Sequence, residues 1–347
     1  RRCDSRRLAV RIAYIGPAQG TSLHRAHALE RIGHQVTIID CWAWLGHSKW
    51  TARWLHHAGG LGTGLLIGGR LWRATQASRP DLIWVDQGPF IGQSVVRRLR
   101  TLGVPIVNYT VDDPFNGRDG RRFQAYLKAL PEYDLLAVVR EPNIAEAKRA
   151  GARKVIQVWR SADEIAHAPR AVDPAVRQRL ASEVAFIGTW MPERGPFLAE
   201  LIERSVPLSI WGERWHKARE WPRLRSHWRG PGLNDGESYA AGILSARICL
   251  GLLSKGNRDL HTQRSLEIPT LGGLLCAERT REHLALYDDG REALFWDDAV
   301  ECAEQCLALL ADEPRRRAIA AAGYDRALRN NHFNEPVMQR ILDAMLI

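Results

Sequence analysis

The stretch LAVRIAYIGPAQGTSLHRAHALERIGHQVTIID, from Leu8 to Asp40, decides the fold class. It opens on a β-rich run ending at Ile15, turns at Gly16, and continues as a polar helix from Ser22 to Ile32, closed by Gly33. A second apolar run then goes from His34 to Asp40. Strand, glycine turn, helix and strand together form the building unit of a parallel sheet covered on both faces. A dinucleotide site is not expected here. The loop is Gly16-Pro-Ala-Gln-Gly20, without the middle glycine of G-x-G-x-x-G that lets a pyrophosphate reach the backbone.

The same grammar continues along the chain. Asp81–Val85, Pro105–Tyr109 and Asp134–Val139 are short apolar runs separated by helical stretches such as Ile91–Leu102. Glu183–Gly188, Leu208–Gly212, Ile248–Leu253 and Gly273–Cys276 repeat the pattern, with helices expected over Phe197–Glu203, Ala299–Leu310 and Pro314–Leu328. Between these halves, Val158–Ala181 has no clear strand and carries Pro169 and Pro174. The reading is a first domain over 1–157, a connector over 158–182, a second domain over 183–334 and a final helix over 335–347. The fold class is α/β: two Rossmann-like domains facing a cleft, with ligand at the carboxyl ends of the strands.

A chain of 347 residues is long enough for two such cores. No apolar run approaches the length of a spanning helix, and the basic start is not followed by the apolar stretch of a secretory signal. The net charge of +10 calls for an anionic partner. No segment matches a nucleic-acid module, so a phosphorylated small molecule or anionic lipid is expected rather than nucleic acid. The six cysteines are scattered. Cys302 and Cys306 stand four apart on a helix, but no Cys or His neighbours them in sequence, so reduced cytoplasmic thiols are expected rather than a metal pair.

The stretch richest in chemistry is DLHTQRSLEIPTLGG, from Asp259 to Gly273. Its two carboxylates, Asp259 and Glu267, suit sugar or ribose hydroxyls. Arg264 between them suits a phosphate, and Gly272-Gly273 admits a close ligand.

From Glu183 onward the chain resembles the CgeB-like, group-1 glycosyltransferases of the GT-B fold. The resemblance rests on Phe186-Ile-Gly-Thr-Trp-Met-Pro-Glu-Arg194, Ile210-Trp-Gly-Glu-Arg-Trp215, Gly236-Glu-Ser-Tyr239 before a helix, His261-Thr-Gln-Arg-Ser-Leu-Glu267 with Gly272-Gly273, and Glu292-Ala-Leu-Phe-Trp-Asp297. It covers nearly half of the chain. In the first half Tyr109-Thr-Val-Asp-Asp-Pro114 is the most similar piece.

The resemblance implies a nucleotide-sugar donor on the second domain and a hydroxyl acceptor (glycan, lipid-linked or protein) on the first. The last helix would cross back onto the first domain. It implies ribose contact for Glu267, where the alternative is a helix N-terminal glutamate favoured by the dipole. Asp259 stands where a first acid would touch the sugar, departing from the usual Glu, and a turn-forming loop Asp is the alternative. Arg264 and Arg194 would meet the diphosphate; a structural salt bridge and a solvated side chain are their respective rivals. Gly188 and Thr189 would shape the donor loop, Lys255 and Asn257 would reach phosphate or sugar, and Trp211-Gly212 would border the base unless Trp211 is a core side chain.

In the first half Gly16, Ser22, His24 and Arg25 open the first helix, whose N-terminus suits an anion or acceptor. His24 as a base competes with an exposed helix histidine. Asp112 or Asp113 would act as the base on the acceptor, or serve a turn. Cys41–Arg73 holds Trp42, Trp44, Trp50, Trp54 and Trp72 among basic residues, a pattern read either as a peripheral membrane contact or as core packing. No cofactor and no metal is expected, because the donor half has no D-x-D-type pair. A nucleotide-sugar hydrolase or epimerase, and an inactive binding protein, are the competing readings.

Overall fold

The computed structural model describes residues 9–45 and 57–346; Cys3, Leu8, Trp50 and Trp54 lie outside them. The chain divides into two compact units, Arg1–Trp159 with Asn334–Ile347, and Arg160–Phe333.

The first unit carries β1 (Arg11–Ile15), β2 (Gln35–Ile39), β3 (Leu82–Asp86), β4 (Ile106–Thr110), β5 (Leu135–Val138) and β6 (Val155–Gln157). They form one parallel sheet in the order β2-β1-β3-β4-β5-β6. β3, β4 and β5 are buried along their whole length, so their sequences are mainly apolar, with Asp86, Asn108 and Thr110 as buried polar residues. β1 instead divides its side chains by the two-residue strand period. Ile12 and Tyr14 face the helices Gly20–Arg31 and Asn334–Leu346, whereas Ala13 and Ile15 face Thr63–Ala77 and Gln93–Arg100.

The last helix places Pro336 in its first turn, where the missing N–H is harmless. It is held in the first unit by Arg31 Nε on Glu335 Oε1 (2.5 Å) and by Lys154 Nζ on the Ala344 carbonyl (2.7 Å).

The second unit carries β7 (Ser182–Ile187), β8 (Leu208–Trp211), β9 (Trp228–Gly230), β10 (Ala246–Gly251), β11 (Leu275–Glu278) and β12 (Leu294–Trp296). This sheet is also parallel, in the order β12-β11-β10-β7-β8-β9. Strand order reverses between β1 and β3 in the first sheet and between β7 and β10 in the second. Loops beyond the carboxyl ends diverge at such points and leave room for a ligand.

Three details differ from the sequence reading. Residues 160–181, read as a connector, lie in the second unit: Ala162 bridges Phe333, and a helix over Pro174–Leu180 starts on the capping carboxylate of Asp173. Gly236–Tyr239 does not precede a helix but begins one, Gly236–Leu244, capped by Asp235. The pair Cys302 and Cys306, judged to lack a partner, meets Cys276 of β11, its Sγ 4.0 Å from each. A 26-residue separation in sequence conceals that neighbour.

Candidate active site

At the end of β7, the Gly188 N–H donates to the Trp211 carbonyl (2.8 Å) and the Gly188 carbonyl accepts from Trp215 Nε1 (3.0 Å). Gly212 has φ +154°, and a Cβ there would lie 1.9 Å from the Gly188 oxygen. These two glycines therefore let the ends of β7 and β8 touch. Trp211 is a core side chain rather than the border of a base: it is only 4% exposed, with the Arg229 guanidinium over its ring.

The two arginines expected on the diphosphate have different surroundings. Arg194 opens the helix Arg194–Glu203 and is buried. Its Nη1 donates to the Thr189 carbonyl (2.7 Å), and its Nη2 donates to the carbonyls of Leu252 (3.2 Å) and Leu253 (3.3 Å). The guanidinium so braces the loop after β7 to the loop after β10, across the point where strand order reverses. That bracing, rather than phosphate contact, is what its geometry supports.

Arg264 is half-buried. Its Nε donates to the Ile187 carbonyl at the end of β7 (2.6 Å), and its guanidinium sits 6.0 Å from the Tyr239 ring centre. Among the described residues, no protein acceptor meets its two terminal nitrogens. One edge anchored and the forked end open is the arrangement that receives a phosphate.

Glu267 is buried beside it. Its Oε2 accepts from the Tyr239 hydroxyl (2.7 Å), and its Oε1 lies 3.4 Å from His167 Nε2, whose ring meets Tyr239 edge to face. Burial, then the Glu267 charge, push the Tyr239 hydroxyl well above its ordinary pKa, so it remains a donor. Each carboxylate oxygen has a further lone pair for a ligand hydroxyl.

Other residues expected at the donor are held within the second unit. Asp259 is buried with its Oδ1 on Arg160 Nη2 (2.9 Å), so its carboxylate anchors residue 160 instead of meeting a sugar. Lys255 pairs through Nζ with Glu278, and its N–H donates to Glu193 Oε1 (3.1 Å). Asn257 sits in the same short turn, Lys255–Asn257. Lys255 and Arg194 together border a cavity of about 360 Å³ that does not include Arg264 or Glu267. Gly272, at φ +84°, ends the helix Arg264–Thr270: the Gly272 and Gly273 N–H groups cap Pro269 and Ile268.

In the first unit, Arg25 is the clearest correction. It is buried, with Nε and Nη2 on the two Asp86 oxygens (2.7 and 2.9 Å), and Tyr14 donates to the same carboxylate. The pair joins the first helix to the end of β3 and presents no charge to a ligand. Ser22 is buried against Tyr14 (3.2 Å), and a Cβ on Gly16 would strike Ser22, Tyr14 and Asp86. Those residues are packing partners rather than an anion cradle. His24 is half-buried on the same helix.

After β4, Asp113 is buried and its Oδ1 accepts from the Phe115 N–H (3.2 Å) and Asn143 Nδ2 (3.0 Å), a turn role. Asp112 is half-buried, with one oxygen 3.4 Å from Arg122.

Tyr239 and His167 were not singled out from the sequence. Tyr239 stood inside a motif already quoted, whereas His167 lies in the presumed connector and carried no signal.

Residues 194–343 match the family described as Glycosyl transferase-like. That stretch is glycosyltransferase-like. It holds Arg264, Glu267 and Tyr239 and begins at Arg194. No curated protein matches the chain. The whole chain has the GT-B architecture of several solved structures. Sucrose-phosphate synthase from Thermosynechococcus elongatus is 13% identical, with a TM-score of 0.64 over 96% of this chain and 97% of that one. Anabaena Alr3699/HepE in complex with UDP-glucose is 12% identical, with a TM-score of 0.66 over 97% and 99%. The α,α-trehalose-phosphate synthase (UDP-forming) from Burkholderia xenovorans is 13% identical, with a TM-score of 0.62 over 97% and 100%.

Proposed function

We propose that this chain, read as a CgeB-like member of the group-1 glycosyltransferases, transfers a hexose from a nucleoside-diphosphate sugar to a hydroxyl-bearing acceptor in glycan assembly. The single observation carrying this reading is the Arg264–Tyr239–Glu267 cluster, where an open guanidinium fork stands beside a fixed carboxylate at the end of β7. Glu267 takes the ribose hydroxyls and Arg264 the diphosphate. Uracil is the base we favour, since the HepE structures hold UDP and UDP-glucose.

The chemistry follows from these placements. The bond between the anomeric carbon and the diphosphate oxygen breaks, and negative charge grows on the departing nucleotide. Arg264, already oriented by the Ile187 carbonyl, stabilises that charge without reorganising. In this reading no metal or other cofactor takes part. Asp112 takes the acceptor proton, because Asp113 is committed to its turn.

Calorimetry with UDP, GDP and dTDP tests the reading: UDP should bind to the wild-type chain and bind more weakly after Arg264→Ala. Absence of any nucleotide binding would remove it. Turnover should survive added chelator, and strict metal dependence would contradict the metal-free step.

A cytoplasmic location with peripheral attachment to an anionic membrane is part of the same proposal. The described cysteines are free thiols, which suits a reducing compartment. Leu65 is 92% and Leu66 67% exposed at the start of the helix Thr63–Ala77, followed by exposed Arg70 and Arg73, an apolar tip with a basic collar. The described tryptophans Trp42, Trp44 and Trp72 are instead half-buried. No helix among the described residues is long and apolar enough to cross a membrane. Co-sedimentation with phosphatidylserine vesicles should be lost in a Leu65→Glu, Leu66→Glu variant.

A further inference from the structure

Cys276, Cys302 and Cys306 are fully buried in the core of the second unit. Cys302 and Cys306 share one face of the helix Ala299–Ala311 because four residues make about one turn. Cys276 projects from β11 onto that face, its sulfur 4.0 Å from both, and all three sulfurs lie within 4.8 Å of one another. Cysteine packs well as a small apolar side chain, but packing alone does not require three sulfurs to converge on one point. A point equidistant from them lies roughly 2.3–2.5 Å from each, matching a metal–thiolate bond of about 2.3 Å.

We propose that Cys276, Cys302 and Cys306 form a site for one soft, thiophilic ion held by three sulfurs. Thiolates select soft ions over calcium or magnesium. Among the described residues this is the only such group of three, so an ion content with three ligands fits better than four-coordinate zinc. Charge narrows the class further. Three thiolates in an apolar core leave two negative charges with a monovalent ion, one with a divalent ion and none with a trivalent ion, and unbalanced buried charge is costly. A divalent ion such as cadmium displaces three thiol protons to solvent. Arsenous acid, As(OH)₃, condenses with three thiols to As(S-Cys)₃ and three waters, with no change of oxidation state.

Because the site is closed, the ion enters during folding or a transient opening. The test therefore refolds the reduced full chain with cadmium alone or arsenite alone and removes the excess. One ion per chain is expected, with sulfur-to-ion charge-transfer absorption. Folded Cys302→Val and Cys306→Val single variants should each bind at least 100-fold more weakly. A refolded wild-type chain free of both ions would overturn the site. So would a folded single variant that binds as tightly as wild type.

Discussion

The Tyr239 hydroxyl donates to Glu267 Oε2 over 2.7 Å, joining the helix Gly236–Leu244 to the helix Arg264–Thr270. It fixes one carboxylate oxygen. Glu267→Ala should weaken UDP binding by about 1.5–3 kcal/mol, the usual scale for a hydrogen bond to a charged group. Tyr239→Phe should cost less, because the carboxylate survives and only its orientation loosens. Calorimetric affinities for the two variants check the order, and equal losses would contradict it.

Arg264 and Arg194 should separate cleanly. Arg264→Ala is expected to lower donor affinity by about 1.5–3 kcal/mol with little change in stability, and Arg264→Lys should not restore the forked contact. Arg194→Ala should instead destabilise the fold by about 2–4 kcal/mol, since three carbonyls at the ends of β7 and β10 lose their donor. Urea unfolding alongside nucleotide titration distinguishes the two outcomes.

Asp112 and Asp113 are adjacent but differently committed. Asp112→Asn should lower kcat about 10²–10⁴-fold with donor affinity preserved, the range for loss of a general base. Asp113→Asn should act mainly on stability, because Oδ1 holds the Phe115 N–H and Asn143. Turnover of the folded variants with saturating donor measures the difference.

The Arg25–Asp86 pair lies inside the first unit, with the two side chains 2% and 0% exposed. Removing one partner leaves a buried charge unmatched and should cost about 3–5 kcal/mol, whereas Arg25→Met with Asp86→Leu should recover much of the loss. Chemical denaturation of the single and double variants is the measurement. A fully additive double variant would contradict the coupling.

His283 sets an acid dependence of stability. Burial lowers its pKa to about 4, and in neutral form its Nδ1–H donates to the Glu278 carbonyl while Nε2 accepts from Ser265. The unfolded chain binds this proton near pH 6.5 and the folded chain only near pH 4, so stability falls as pH drops through that window and levels off below it. The full loss from this group is on the order of 3 kcal/mol. Urea midpoints from pH 7 to pH 4 should track the fall, and His283→Gln should flatten its share of the slope.

Much of the architecture was legible locally. The apolar runs ending in glycine near Gly16, Gly188 and Gly212 identified parallel strands, because strands covered on both faces are built mainly of apolar residues. The three-residue strands Val155–Gln157, Trp228–Gly230 and Leu294–Trp296 were not legible as strands, since such short edge elements derive their order from a neighbour. At the candidate site, Arg264 and Glu267 stood out because a guanidinium between two carboxylates, running into a glycine pair, suits a phosphate and sugar hydroxyls. The commitments of Arg25, Arg194 and Asp259 were invisible, because Asp86, the Leu252 carbonyl and Arg160 lie 58 to 99 residues away.

Sequence by itself determined two parallel α/β units and a carboxylate and arginine suited to a nucleotide sugar, since strand burial and side-chain chemistry are local properties. Only the tertiary structure decided which charges remain available to a ligand and that three distant cysteines meet. Both depend on which elements lie side by side, and the chain sets that by packing rather than by sequence proximity.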